Sequence, residues 1–110
     1  MIDVLYNEKE FCLTVKGHAG YCERGHDIVC AGVSGICEAL VGTAIDRCSK
    51  VLPVISQHKG EGSLRIKLYP EGERNKSMGR LMMDMAYIGL ERIEAQFMGY
   101  IRCSRTKEDI

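Results

Sequence analysis

The sequence contains no tryptophan and only two prolines, and neither charge is in excess, since 15 lysines and arginines balance 15 aspartates and glutamates. A chain without net charge has no overall field to attract nucleic acid or an anionic membrane. Residues 1–10 lack a basic segment followed by an apolar run, and no stretch of about 18 apolar residues is free of Gly, Ser, Thr or Glu. We therefore expect a cytoplasmic protein with no signal peptide, no membrane partner and no direct nucleic-acid partner.

The cysteines form no CxxC pair, so the sequence gives no sign of a disulfide framework. They are Cys12, Cys22, Cys30, Cys37, Cys48 and Cys103. A chain of 110 residues that is 45% hydrophobic can bury a core without covalent staples. We expect a single domain over residues 1–110, with its cysteines reduced in the cytosol.

Hydrophobic periodicity predicts four strands and two helices. The strands are expected at residues 2–6, 11–16, 54–60 and 63–69, and the helices at 28–50 and 77–101. The tail from 102 to 110 is polar and is expected to fray. The order β-β-α-β-β-α predicts an α+β two-layer sandwich, with a four-stranded antiparallel sheet and both helices on one face.

The second predicted helix carries a methionine-rich apolar stripe. Its members recur at helical spacing and are Met78, Leu81, Met82, Met85, Ile88, Ile93, Phe97 and Ile101. Such a stripe is either core or a partner surface, and we favour core.

Residues 17–30 combine a histidine, three glycines and a cysteine in an order that suits nucleophilic catalysis. His18 follows the second predicted strand, and Cys30 opens the first helix. A thiol at a helix N-terminus lies at the positive end of the helix dipole, which favours the thiolate, and imidazole is well suited to move protons near neutral pH. Gly17, Gly20 and Gly25 give the connecting loop conformational freedom, and we predict that this flexible loop moves to admit a substrate.

Asp27 precedes the first helix where an N-cap carboxylate would lie. Two roles are open to it: it caps the helix, or it orients His18 as the third member of a catalytic group. The two roles are compatible. The backbone N–H groups of Cys30 and its neighbours are candidate donors to an oxyanion, because the first N–H groups of a helix are unpaired.

The same segment contains a competing constellation. His18, Cys22, His26 and Cys30 are spaced four residues apart, and all four are zinc-ligand types. Structural zinc sites usually join two close pairs from separate elements, and the intervening glycines make one continuous helix unfavourable. We therefore expect no metal or other cofactor, and we keep a thiol or zinc sensor as an alternative.

Residues 17–34 resemble the Prp-type ribosomal-processing cysteine proteases. The matching positions are Gly-His-Ala-Gly-Tyr at 17–21, Gly25, Asp-Ile-Val-Cys-Ala at 27–31, and Val-Ser at 33–34. The resemblance implies that Cys30 is the nucleophile and His18 its base, and that Ser34, one helical turn beyond Cys30, lines the site. It also implies a homodimer.

The resemblance further implies a substrate. Proteins of this type remove an N-terminal extension from the precursor of a large-subunit ribosomal protein, the bacterial L27-type protein, so the site would need an apolar pocket for aromatic side chains. A ribosome-associated binding module without catalysis remains the other alternative, and loss of the Cys30 thiol would leave its activity unchanged.

Overall fold

The computed structural model describes residues 1–23, 27–58, 60 and 62–108. Within them the elements follow the order β1 (Ile2–Asn7), β2 (Cys12–Lys16), α1 (Ile28–Cys48), β3 (Val54–His58), β4 (Ser63–Leu68), α2 (Glu73–Gln96) and β5 (Ile101–Thr106). The strands form one sheet in the order β3-β4-β2-β1-β5. All neighbouring strands are antiparallel except β1 and β5, which are parallel.

The predicted α+β class with two helices is correct, but the predicted four-stranded antiparallel sheet is wrong. Helix α2 ends at Gln96 and not at residue 101, and the backbone turns through Gly99, whose φ is +92°. A left-handed φ suits glycine because other residues meet a steric penalty there. The chain can therefore leave the helix and return along the edge of the sheet as a fifth strand.

The expected frayed tail is instead strand β5, which pairs with β1. Its residues alternate between core and solvent, so Ile101 is 2% exposed, Cys103 is half-buried, and Arg102 is exposed. The Arg102 Nη2 atom lies 2.7 Å from Asp3 Oδ1 on β1. The polar composition that predicted fraying therefore belongs to the outward face of a strand.

The core lies between one face of the sheet and both helices. The sheet contributes alternating apolar side chains, and the helices each contribute one face. The members with very low exposure include Ile2, Val4, Tyr6, Leu13, Ile66, Leu68 and Ile101 from the strands, Val29, Val33, Cys37, Leu40 and Ala44 from α1, and Met83, Ala86, Tyr87 and Leu90 from α2. One hydrophobic cluster thus includes side chains from the sheet and from both helices.

The two helices approach closely through reciprocal glycine contacts. A Cβ atom built on Gly32 of α1 would lie 3.2 Å from Cδ1 of Ile93, and one built on Gly89 of α2 would lie 3.0 Å from Cδ1 of Ile36. Each isoleucine therefore fills the space that a side chain would occupy on the facing helix. These contacts hold the N-terminal half of α1 in position.

The prediction that the methionine-rich stripe of α2 is core is wrong for four of its eight members, whereas Met82, Ile93, Phe97 and Ile101 do contact the core. Met78, Leu81, Met85 and Ile88 are 36%, 71%, 62% and 46% exposed. The buried face of α2 contains Met83, Ala86, Tyr87 and Leu90 instead. The helix is apolar on two faces, and only one of them contacts the sheet.

By length and composition, α1 is apolar enough to cross a membrane. In this fold its row Val29, Val33, Cys37, Leu40 and Ala44 is buried against the core. Packing within the domain therefore accounts for this one row of apolar residues, whereas Ile28 and Ile45 of the same helix are 57% and 54% exposed.

Replacing Ile101 tests whether β5 is part of the folded core. Ile101→Ala is expected to lower the free energy of unfolding by about 2–5 kcal/mol, because it removes a fully buried side chain. Arg102→Ala is the control and should change it by less than about 1 kcal/mol, since its ion pair is exposed. Urea unfolding measures both, and equal effects would contradict the assignment of β5.

Candidate active site

A cavity of about 220 Å³ opens where the start of α1 meets the end of β2 and the β3–β4 hairpin. Its polar lining includes His18, Cys30, Ser34, His58 and Ser63. The structure thus brings together four of the residues predicted from sequence, Gly17, His18, Cys30 and Ser34. The walls between them are largely apolar.

The Cys30 thiol lies in the first turn of α1 and is half-buried. The backbone N–H of Ala19 donates a hydrogen bond to Cys30 Sγ across 3.4 Å. Ala19 is itself 5% exposed, so this donor is anchored in the core. The contact connects the residue after His18 directly to the sulfur atom, and it is strongest when the sulfur carries negative charge.

The loop between His18 and Cys30 is tied down at its beginning. The Gly17 N–H donates to the carbonyl oxygen of Gly62 across 2.7 Å, and the φ of Gly17 is +96°. Further along, the Tyr21 ring makes edge-to-face contacts with Phe97 and Tyr100, at centroid distances of 5.3 and 5.0 Å. These contacts attach the loop to the end of α2.

Of the other two glycines predicted in the loop, the structure describes Gly20 but not Gly25. Gly20 has a φ of +68°, which agrees with the need for glycine there. Gly25 lies outside the described residues, as does His26 of the alternative zinc set. The predicted movement of the loop stays a prediction.

Comparison with known proteins identifies the family. A family model described as "Cysteine protease Prp" matches residues 1–102. The chain belongs to this family. It is 29% identical over 107 residues to the ribosomal processing cysteine protease Prp of Staphylococcus aureus strain Mu50, and the match covers 92% of this chain and 93% of the relative.

The solved structures of that S. aureus protease have the same fold. One, in complex with a covalently linked product peptide, superposes with a TM-score of 0.74 at 27% identity and covers 96% of this chain and 97% of the other. A second, with a substrate peptide, gives a TM-score of 0.71 at 25% identity with the same coverage. The protein described here is therefore a cysteine protease of the Prp family, as the motif at residues 17–34 predicted.

Asp27 caps the helix that carries Cys30. Its Oδ1 atom accepts the N–H groups of Val29 and Cys30, each at 3.0 Å, and its Oδ2 atom accepts the N–H of Tyr21 at 3.0 Å. These backbone donors, that of Cys30 above all, hold the pKa of the Asp27 carboxyl below its ordinary value. Among the described residues, the hydrogen bonds of this carboxylate go to backbone N–H groups and not to His18.

The cap changes one expectation about the oxyanion. The N–H of Cys30 was expected to be unpaired, but it donates to Asp27. The N–H of Ala31 is likewise used, because it donates to the Asp27 carbonyl oxygen at 3.0 Å. The N–H that points at the sulfur is that of Ala19, which the sequence analysis did not consider because its position depends on tertiary packing.

A second thiol, Cys37, lines the same cavity. It is 2% exposed, and burial raises its pKa to about 11, so it remains a neutral thiol near pH 7. Cys103 behaves in the same way, since burial raises its pKa to about 12. A raised pKa leaves little thiolate near pH 7, which makes Cys37 and Cys103 poor nucleophiles.

His58 is a cavity residue that sequence reasoning missed. It ends β3 and pairs in register with Leu64 of β4, so its side chain points to the helix side of the sheet. The alternation of Val54, Ser56 and His58 within the predicted strand was a usable signal. The strand order, which brings this hairpin beside α1, could not be deduced from the alternation.

The described residues contain no group of three or more His, Cys, Asp or Glu side chains arranged to hold a metal ion. Of the alternative zinc set, Cys22 is exposed and Cys30 lies in the cavity. His26, another member of this set, lies outside the described residues, so the zinc site stays an alternative.

Substituting Asp27 tests the cap and its pH dependence. Asp27→Ala is expected to lower Tm by several degrees at about pH 7, and Asp27→Ser by less because serine still accepts a backbone N–H. The folded pKa is depressed, so the contribution of the carboxylate is complete above about pH 4 and is lost as the pH falls through the folded value. Thermal melts of the three proteins measure this.

The Tm difference between wild type and Asp27→Ala should therefore shrink in acid. A difference that is the same at about pH 3 as at about pH 7 would contradict an ionised cap.

Proposed function

We propose that this protease removes the N-terminal extension of a large-subunit ribosomal protein precursor, the bacterial L27-type protein, through an acyl-enzyme formed on Cys30. The carrying observation is that His18 and Cys30 line one cavity, with the N–H of the residue after His18 bonded to Cys30 Sγ. The S. aureus relative is a ribosomal processing protease, which supports the substrate class. Because its substrate would be a newly made ribosomal protein, the protein would act in the cytoplasm.

In the proposed reaction His18 takes the thiol proton, and the Cys30 sulfur attacks the scissile carbonyl carbon to form a C–S bond. The tetrahedral intermediate collapses as His18 protonates the leaving amine, and the C–N bond breaks. Water, deprotonated by His18, then attacks the thioester carbon, the C–S bond breaks, the carboxylate product leaves, and His18 returns its proton to the sulfur. No cofactor is required, since every proton is carried by the imidazole.

The Ala19 N–H is the proposed oxyanion donor. It already approaches Sγ within 3.4 Å, so a carbonyl carbon bonded to that sulfur would have its oxygen near the same N–H. Loss of one such donor typically costs about 10²–10³ in kcat. A backbone donor held by a buried residue needs no rearrangement during the reaction.

Ser34 and Asp27 support the site in different ways. The Ser34 hydroxyl lies in the cavity one turn beyond Cys30, where it can hydrogen-bond the peptide backbone of a substrate. Asp27 acts through the cap, because it holds the first turn of α1 and the loop at Tyr21 together. Its effect on His18 is then indirect.

The cavity walls suit an apolar side chain of the substrate. Ile2, Val15 and Leu64 line it alongside the polar residues. An extension peptide with aromatic residues could place one ring against these side chains while its backbone passes Cys30.

We also propose that the protein is a homodimer that pairs through the exposed stripe of α2, Met78, Leu81, Met85 and Ile88. The stripe repeats at alternating spacings of three and four residues, as in helices that pack side by side. Two copies related by a two-fold axis would bury the same surface on both subunits. Burial of four large apolar side chains from each copy favours association.

The charges along α2 support an antiparallel arrangement of the two helices. The half that begins the helix, residues 73–84, carries three basic and two acidic residues, Arg74, Lys76, Arg80, Glu73 and Asp84. The half that ends it, residues 85–96, carries two acidic residues and one basic residue, Glu91, Glu94 and Arg92. Positive charge at a helix N-terminus opposes the helix dipole, and an antiparallel partner helix would offset this by offering its acidic half.

Mass spectrometry of the extended ribosomal protein after incubation with the enzyme tests the catalytic assignment. Wild type is expected to make one N-terminal cut and Cys30→Ala none. His18→Gln should lower kcat by about 10²–10⁴, the usual contribution of general acid–base catalysis. His58→Gln is the matched control, because it alters a second imidazole in the same cavity and should change kcat by less than about ten-fold.

The possible outcomes separate the alternatives. If His58→Gln abolishes cleavage and His18→Gln does not, the base is misassigned. If wild type leaves the precursor intact while folded and reduced, the proposed hydrolysis of this substrate is wrong, and a binding module or a thiol or zinc sensor becomes the better interpretation.

A charge introduced into the α2 stripe tests the dimer. Leu81→Asp is expected to raise the dimer Kd by roughly 30-fold or more, because it replaces a central apolar contact with a carboxylate that must lose its hydration. Ile45→Asp is the control, because it alters another exposed apolar residue, on α1 and 54% exposed, and it should leave the dimer intact. Light scattering after size exclusion measures the masses, and a dimeric Leu81→Asp protein would refute this interface.

A further inference from the structure

The turn between β3 and β4 lies against the imidazole of His18. Gly62, which immediately precedes β4, has a φ of +72° and is partly buried. A Cβ atom built on it would lie 2.8 Å from His18 Nε2 and 3.3 Å from both Cδ2 and Cε1. The ring edge therefore rests in the space that a side chain at position 62 would occupy.

The same glycine also holds the backbone beside His18. Its carbonyl oxygen accepts the N–H of Gly17 across 2.7 Å. A Cβ on Gly17 would in turn meet the Met1 carbonyl oxygen, so the backbone has little freedom at this point. Gly62 of the hairpin thus contacts both Gly17 and the imidazole ring of His18.

The His18 side chain has no other evident support within the described residues. It is exposed, and it makes no hydrogen bond with the part of the chain that the structure describes. The Asp27 carboxylate, which might have oriented it, bonds to backbone N–H groups instead. Among the described residues, the steric contact with Gly62 is the one that can set the direction of the His18 ring.

We propose that Gly62 is a positioning residue, whose missing side chain forms the surface that directs the His18 imidazole toward Cys30. The inference rests on the proposed role of His18 as the base. Misplacement of a catalytic group by about 1 Å can cost on the order of 10² in rate. A methyl group at position 62 would displace the Nε2 edge by several tenths of an ångström, since a contact of 2.8 Å is shorter than real Cβ atoms show.

The turn supplies a matched control in Gly60. Its φ is +79°, close to that of Gly62, but a Cβ built on it meets no atom of the described residues within 4 Å. Gly60→Ala and Gly62→Ala therefore carry a similar backbone penalty, of about 1–2 kcal/mol for an L-residue in this region. Only Gly62→Ala adds a contact with the imidazole.

We expect both variants to show similar decreases in Tm and to differ in kinetics. Gly62→Ala should lower kcat for precursor cleavage about ten-fold more than Gly60→Ala does, with KM unchanged, because the base is misdirected while the cavity still binds the peptide. The His18 ring resonances in the NMR spectrum should shift in Gly62→Ala and stay at their wild-type positions in Gly60→Ala. Equal kcat values and equal His18 resonances in the two variants would overturn the proposal.

A second measurement needs no variant and so covers the case in which Gly62→Ala does not fold. A nuclear Overhauser contact between the Gly62 α-protons and the His18 ring protons is expected in the wild-type protein, and its absence would overturn the proposal. Failure of the catalytic assignment has a different signature, since His18→Gln would then cleave the precursor at the wild-type rate. An inactive His18→Gln with indistinguishable glycine variants would reject only the role of Gly62.

Discussion

The N-terminal cap of α1 is the interaction on which the site depends. One carboxylate, Asp27, accepts the N–H groups of Val29 and Cys30 with one oxygen and that of Tyr21 with the other. It therefore starts the helix, fixes the orientation of the Cys30 backbone and attaches Tyr21 of the preceding loop to the first turn of the helix. Because the cap uses the Cys30 N–H, an oxyanion at this sulfur must find another donor, and the Ala19 N–H is the one directed at it.

The site was largely predictable where its residues are close in sequence. His18, Asp27, Cys30 and Ser34 lie within one strand end, one loop and two helical turns, so local rules of capping and helix polarity apply to them directly. The hairpin residues of the site were not predictable in this way. His58 and Gly62 reach the cavity because β4 pairs with β2, and no local pattern encodes that strand order.

The errors in the fold have a similar origin. The alternation of Ile101 and Cys103 with Arg102 and Ser104 was present in the sequence, but the polar half of the pattern dominated its interpretation as a frayed tail. In α2 the periodicity correctly indicated an apolar stripe, but a helix that is apolar on two faces has two such stripes. Which stripe is buried depends on how closely each face of the helix can pack against the rest of the domain. Gly79 and Ala86 on the buried face allow close packing, and a Cβ on Gly79 would lie 3.2 Å from Leu52 and 3.4 Å from Phe11.

Cys30 and His18, the proposed nucleophile and base, are held in different ways. Cys30 belongs to a helix that is fixed by its cap and by the Gly32 to Ile93 and Gly89 to Ile36 contacts with α2. His18 is exposed and is constrained mainly by the turn that carries Gly62. In the proposed mechanism the nucleophile therefore lies on a fixed helix, and the base lies at an exposed strand end beside the β3–β4 turn. It also means that variation in the β3–β4 turn should alter the alignment of the base before it alters the stability of the domain.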